Sequence, residues 1–186
     1  MGSSDALGER VEYAVEGGST DRVVAARACR AVMDVLDGVS VRAEVDCFSD
    51  VAADMPAEIR DAEAGLRGSG RTGFLHSDPW MAVPVDRSDE AAWDLVRRYA
   101  SWSINVDLYG TEPPPLATFH DCGHSIVARL TAEEAADLTR RLKGIAPVRP
   151  LSEIHEERAV ERERARGART AERRARWRAR FQRSRT

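Results

Sequence analysis

The sequence predicts an α+β fold: a ferredoxin-like βαββαβ sandwich with an added β-hairpin and C-terminal helix, followed by a charged helical or disordered tail. Three observations carry this. Segments that alternate polar and apolar residues are separated by stripes of 3.6-residue period, so the chain reads βαβ and then βαβ again. A glycine-centred turn then joins two more alternating segments. Finally, the charge changes sign: residues 161–186 hold 11 arginines and 3 glutamates, whereas residues 1–160 hold 17 basic and 28 acidic residues. The 186 residues therefore divide into an acidic globular domain over 1–150 and an Arg-rich charged helix or tail over 151–186.

The first strand is residues 10–16, with Val11, Tyr13 and Val15 on one face and Glu12, Ala14 and Glu16 on the other. Gly17-Gly18 breaks it, and Ser19 or Thr20 caps a helix with Asp21 in its first turn. Val24, Ala28, Val32 and Val35 form the inner stripe of that helix; Arg27, Arg30, Asp34 and Asp37 line its far side, and Gly38 stops it. Residues 39–48 alternate most cleanly, burying Val39, Val41, Ala43, Val45 and Cys47. A short helix over 50–66, divided or started by Pro56, leads to a flexible loop of glycines at 65, 68, 70 and 73.

Residues 73–85 are a third strand region, interrupted by Ser77-Asp78-Pro79. A helix from Ser88 to about Trp102 and a strand over 104–109 follow. The connector 110–115 ends in three prolines and is stiff. Residues 116–120 and 125–130 make the hairpin around Asp121-Cys122-Gly123, extending the sheet or covering its edge. Thr131-Ala132-Glu133-Glu134 is a capping box for a helix to Lys143, ended by Gly144. Pro147 and Pro150 close the domain.

Bulk properties exclude some classes. No apolar run approaches the roughly 20 residues of a membrane helix. The start, Met1-Gly2-Ser3-Ser4-Asp5, has neither the basic nor the apolar stretch of a signal peptide, and Cys29, Cys47 and Cys122 are odd in number and far apart. The expected location is cytoplasmic. Arginine outnumbers lysine 27 to 1 along the whole chain, so arginine in the tail is not by itself a mark of guanidinium chemistry.

The densest set of ligand-type residues is His120, Cys122 and His124, which offer nitrogen and sulfur to a zinc ion. H-x-C-x-H is not a structural zinc spacing, and a fourth ligand must come from afar, such as His76 or Cys47. A turn at Asp121 and Gly123 explains the same residues without a metal. Cys122 as a nucleophile needs a neighbouring cation or helix N-terminus to lower its pKa. Gly68-x-Gly70-x-x-Gly73 satisfies the dinucleotide fingerprint in the wrong context, after a helix and before a strand, which leaves Arg67 and Arg71 as anion contacts only. The carboxylates Asp34, Asp37, Glu133, Glu134 and Asp137 read as solvated, and Trp80, Trp93, Trp102, Phe74 and Tyr13 as core. The exposed stacking aromatics of an RNA-recognition sheet are not evident.

In the tail, Glu161–Arg164 and Glu163–Arg166 pairs support a helix through residue 166, and Gly167 interrupts it. Beyond it Arg173, Arg174, Arg176, Arg178 and Arg180 supply charge, while Trp177 and Phe181 stand four apart on one helical face. Such a segment fits a nucleic-acid arm, a clamp on the acidic body, or a solubilising end. The functional expectation is a non-enzymatic accessory protein with no catalytic residue and no cofactor. Its body binds a protein partner, and its arm binds nucleic acid or another polyanion non-specifically. Homo-oligomerisation is a further option. One alternative is an acidic inhibitor or immunity-type module without a nucleic-acid role. Another is a small metal-binding protein or enzyme at His120, Cys122 and His124.

Overall fold

The computed structural model describes residues 8–16, 21–69 and 80–183, with backbone alone at 69, 171 and 174–183. Its elements are β1 (Val11–Val15), α1 (Arg22–Val35), β2 (Arg42–Val45), a single 3-10 turn (Ala52–Asp54), α2 (Ala57–Ser69), β3 (Val83–Asp86), α3 (Glu90–Tyr99), β4 (Asn105–Tyr109), β5 (Ala117–His120), β6 (Ser125–Leu130), α4 (Ala132–Arg141), β7 (Val148–Pro150) and α5 (Leu151–Arg183). The chain parts into two units after Pro150.

All seven strands join one antiparallel sheet in the order β3-β2-β4-β5-β6-β1-β7. The fold is thus α+β, but this order departs from the expected ferredoxin-like βαββαβ arrangement. The hairpin β5–β6 does not extend the sheet. It occupies its middle, and β1 and β2 run parallel with three strands between them. Chain order favours that placement, because β4, β5 and β6 are consecutive and pair as a meander, β5 and β6 through a tight turn.

Register gathers most of the strands' apolar residues on one face. Val83, Val45, Val106, Phe119, Ile126 and Val15 lie in one cross-strand row, and Val85, Ala43, Leu108, Ala117 and Ala128 in the next. These residues are buried in one cluster with Ala28, Val32, Met33, Leu66, Trp93, Val96, Tyr99 and Leu138 of the helices. The opposite row, Glu44, Asp107, Thr118, Val127, Ala14 and Arg149, is half-buried and mostly polar. An antiparallel sheet with one packed and one wet face alternates in this way.

Local chemistry sets the helix ends. Asp21 is itself the N-cap of α1, accepting from the Val23 N–H at 2.8 Å, rather than a first-turn residue; Ser19 and Thr20 lie outside the described residues. Asp89 caps α3 by accepting from the Ala92 N–H at 2.9 Å. The Thr131–Glu134 capping box closes reciprocally at 2.9 and 3.2 Å, and Gly144 takes a φ of 75° after α4. Helix α2 runs through Gly65 and Gly68, so the expected glycine loop is helical as far as Ser69; its remainder lies outside the described residues, as does most of the strand expected from 73. A Cβ on Gly65 would stand 2.7 Å from Leu95 Cδ1. The glycine lets α2 and α3 approach closely instead of breaking the helix.

Three further expectations change. Strand β7 was not anticipated: three residues ending in proline carry no alternation, yet they pair with β1. Val41, expected inside, is 40% exposed, because β2 begins only at Arg42. Helix α5 continues across Gly167 to Arg183 without a break, since one interior glycine costs only about 1 kcal/mol relative to alanine. Neither Glu161–Arg164 nor Glu163–Arg166 closes to ion-pair distance.

Candidate functional site

Residues 120–124 form the β5–β6 turn. Asp121, Cys122 and Gly123 are all left-handed, with φ of 51°, 57° and 77°. The Asp121 N–H donates to the Ile104 carbonyl and the Cys122 N–H to the Ser103 carbonyl, both at 3.0 Å. From the first turn of α1, the Arg22 guanidinium donates to the carbonyls of Cys122 at 3.2 Å and Ser101 at 3.3 Å, and sits 5.1 Å over the Trp102 ring. The turn therefore bolts the hairpin to α1 and to the loop after α3.

This geometry separates the three expected ligands. His120 is exposed at the end of β5, opposite Asn105 and Ser125. The Cys122 thiol is buried, donates to the Trp102 carbonyl at 3.3 Å and lies 3.8 Å from Ser49 Oγ. His124 is half-buried, and its Nε2 has no hydrogen-bond partner among the described residues. Among the described residues no three His, Cys, Asp or Glu side chains converge as a metal would require. Cys122 also makes no hydrogen bond to either histidine, so no dyad forms there. Burial pushes the thiols of Cys29 and Cys47 up to about 12, which suits packing rather than nucleophilic attack.

The other candidates are similarly absorbed. Arg67, expected as a mobile anion contact, is held on α2. It donates to the Cys47 carbonyl at 2.6 Å and to Glu63 at 2.5 Å, and lies 4.5 Å over the ring of Trp80. Trp80, expected in the core, is 41% exposed because it stacks against this guanidinium at the surface. Trp93 is buried, Tyr13 and Trp102 are half-buried, and Arg71, His76 and Phe74 lie outside the described residues.

Of the carboxylates expected to be solvated, Asp34, Asp37, Glu134 and Asp137 are paired, while Glu133 is exposed. Asp37 accepts from Arg87 at 3.1 Å and Arg97 at 2.7 Å; Arg97 also holds Asp34, and Arg141 lies 3.8 Å from Asp34. Glu134 takes both guanidinium nitrogens of Arg10, at 2.6 and 2.8 Å. The guanidiniums beside Asp37 hold its carboxyl below the usual value, the Arg87 hydrogen bond contributing most.

Among the described residues, two groups of cations, each closely spaced in the chain, lie outside these networks. The first is on α5, where Arg162, Arg164, Arg166, Arg169 and Arg173 are exposed; Arg174, Arg176, Trp177, Arg178, Arg180 and Phe181 continue the same helical backbone. The second is Arg27 and Arg30 on α1, exposed and without an ion pair among the described residues. They face a cavity of about 650 Å³ walled by α1, the start of α2 and the end of α3. Sequence periodicity placed both arginines on the outer side of α1 but could not show what flanks them. Comparison with protein-family models, curated proteins and solved structures finds no match for this chain.

Proposed function

We propose that the chain is a non-enzymatic accessory protein whose arm, α5, holds a polyanion, nucleic acid first, and whose body contacts a protein partner. One observation carries the arm's role: α5 is continuous through Gly167, so its arginines share one helix. From Arg162 to Arg183 there are ten arginines and two glutamates. Those 22 residues rise about 33 Å, or roughly one cation per 3 Å. A duplex carries one charge per about 1.7 Å of axis, and its major groove admits an α-helix.

From Glu156 to Ala175 the only large apolar residue of the helix is Val160, so little of that stretch is drawn into a core and its charge stays available to a ligand. Arg173, Arg174, Arg176, Arg178 and Arg180 supply the charge in this reading; Trp177 and Phe181 supply stacking. A cytoplasmic location fits the three free thiols.

The test is a titration of labelled single- and double-stranded oligonucleotides of about 20 nucleotides across salt. The expected affinity falls steeply with salt, with a logarithmic slope of about −0.9 per phosphate contact on duplex. Replacing Arg173, Arg176 and Arg180 by glutamine makes that slope shallower. Binding that prefers one base sequence and survives high salt overturns the reading.

A further inference from the structure

The surface of α1 is divided by charge. Its last turn carries Asp34, and Asp37 follows just past the helix end, both paired with arginines from α3, α4 and the turn after β3. Ahead of them on α1, Arg27 and Arg30 are exposed and unpaired among the described residues. Across the adjacent cavity lies Arg98, engaged only at the surface by Asp94, and Arg22 stands at its inner end. Among the described lining residues Glu58 is the one carboxylate, against four arginines. In residues 1–160, which hold 11 more acids than bases, this is a local reversal of sign.

The floor between these cations is apolar. Val23 is 63% exposed there, beside Ala26, Pro56 and Ile59. One exposed valine is ordinary, but a valine within an apolar strip flanked by unpaired guanidiniums is a composite surface. The inner wall is also rigid, because the Arg22 guanidinium is tied to two carbonyls and the Trp102 ring. A groove fixed beforehand loses less entropy on binding.

We propose that this groove receives an acidic segment of a protein partner, its carboxylates meeting Arg27, Arg30 and Arg98 and its aliphatic side chains covering Val23 and Pro56. A nucleic acid would use the arginines but leaves the aliphatic strip without a counterpart. An acidic peptide with interspersed leucines matches both. The inference deepens the partner-binding half of the proposed function and is independent of the arm.

The experiment uses the full chain and a labelled peptide of about 12 residues built from alternating Glu and Leu pairs, with labelled oligothymidylate as the second probe. Two groove variants are compared, Arg27→Glu with Arg30→Glu, and Val23→Asp. All these side chains are exposed, so the fold is retained, as unchanged urea midpoints will show. An arm variant carries Arg173→Gln, Arg176→Gln and Arg180→Gln. Each groove variant is expected to weaken the peptide about tenfold or more while oligothymidylate changes less than about twofold, and the arm variant to do the reverse.

Peptide binding that fails outright, ignores both groove variants or falls only with the arm variant overturns the inference. So does loss of oligothymidylate in the groove variants, which assigns the groove to nucleic acid. Indifference of oligothymidylate to the arm variant counts against the arm alone and leaves the groove result readable.

Discussion

Gly123 is the residue on which the hairpin and α1 meet. A side chain there faces two separate obstacles. Its φ of 77° is left-handed, and a Cβ would stand 2.9 Å from Cys29 Sγ and 3.4 Å from Ala25 Cβ. Gly144 shares the first obstacle, with φ of 75°, but has nothing within 4 Å of the same position. The pair separates backbone strain from crowding. Gly144→Ala is expected to lower stability in urea by about 1–2 kcal/mol, the left-handed penalty alone. Gly123→Ala adds overpacking of a fully buried thiol, for a total of about 3 kcal/mol. Equal losses in the two variants would mean that Cys29 and α1 give way freely. Cys122, left-handed without being glycine, is tolerated because its N–H and carbonyl are both bound, to Ser103 and Arg22.

Between elements, the charges on the helix layer work as fasteners. Arg97 of α3 holds Asp34 of α1 and Asp37 just past its end, Arg87 joins from the turn after β3, and Arg141 of α4 reaches Asp34. The folded Asp37 carboxyl lies below its ordinary 3.8, chiefly through the Arg87 hydrogen bond. Its contribution to stability is therefore complete above that value and disappears as pH falls through the lowered one. Asp37→Asn should cost about 1 kcal/mol at neutral pH, a part-exposed pair being worth no more. The gap between the variant and the parent should close on acidification below about pH 4, read from urea midpoints. A gap that stays constant down to pH 2 would sink the assignment.

Elements with a strong local signal were legible in the sequence: the Thr131–Glu134 box, the helix start near Ser88 and the alternation of β4, β5 and β6. What depends on distant neighbours was not. Gly65 reads as a breaker until Leu95 is seen against it. Asp34 and Asp37 read as solvated because periodicity assigns a face but not its occupant. For the same reason the groove beside Arg27 and Arg30 had no sequence signal. The clustered types at His120, Cys122 and His124 suggested a site, yet the turn that joins them in sequence sends the thiol inward and leaves His120 outside. Sheet order was equally hidden, since β1 pairs with strands more than a hundred residues later.

At the scale of the whole molecule, two kinds of order sit in one chain. Residues 11–150 enclose an apolar cluster beneath a seven-stranded sheet, and each end of that sheet is blunted by proline, Pro84 in β3 and Pro150 in β7. From Glu156 to Arg183, α5 has no apolar stripe. Such a helix depends on propensity and length rather than on packing, so it melts gradually instead of in a cooperative step. Warming should first remove part of the far-ultraviolet helical signal over a broad range while the near-ultraviolet signal, dominated by buried Trp93 and Tyr99, holds. A sharp transition in both signals follows when the core opens. Binding raises the stability of whatever it binds, so a saturating oligonucleotide should move the gradual phase to higher temperature and leave the sharp one in place. If one cooperative transition contains all the helical loss, α5 is held by contacts of its own, and its arginines lose their claim to be a free polyanion surface.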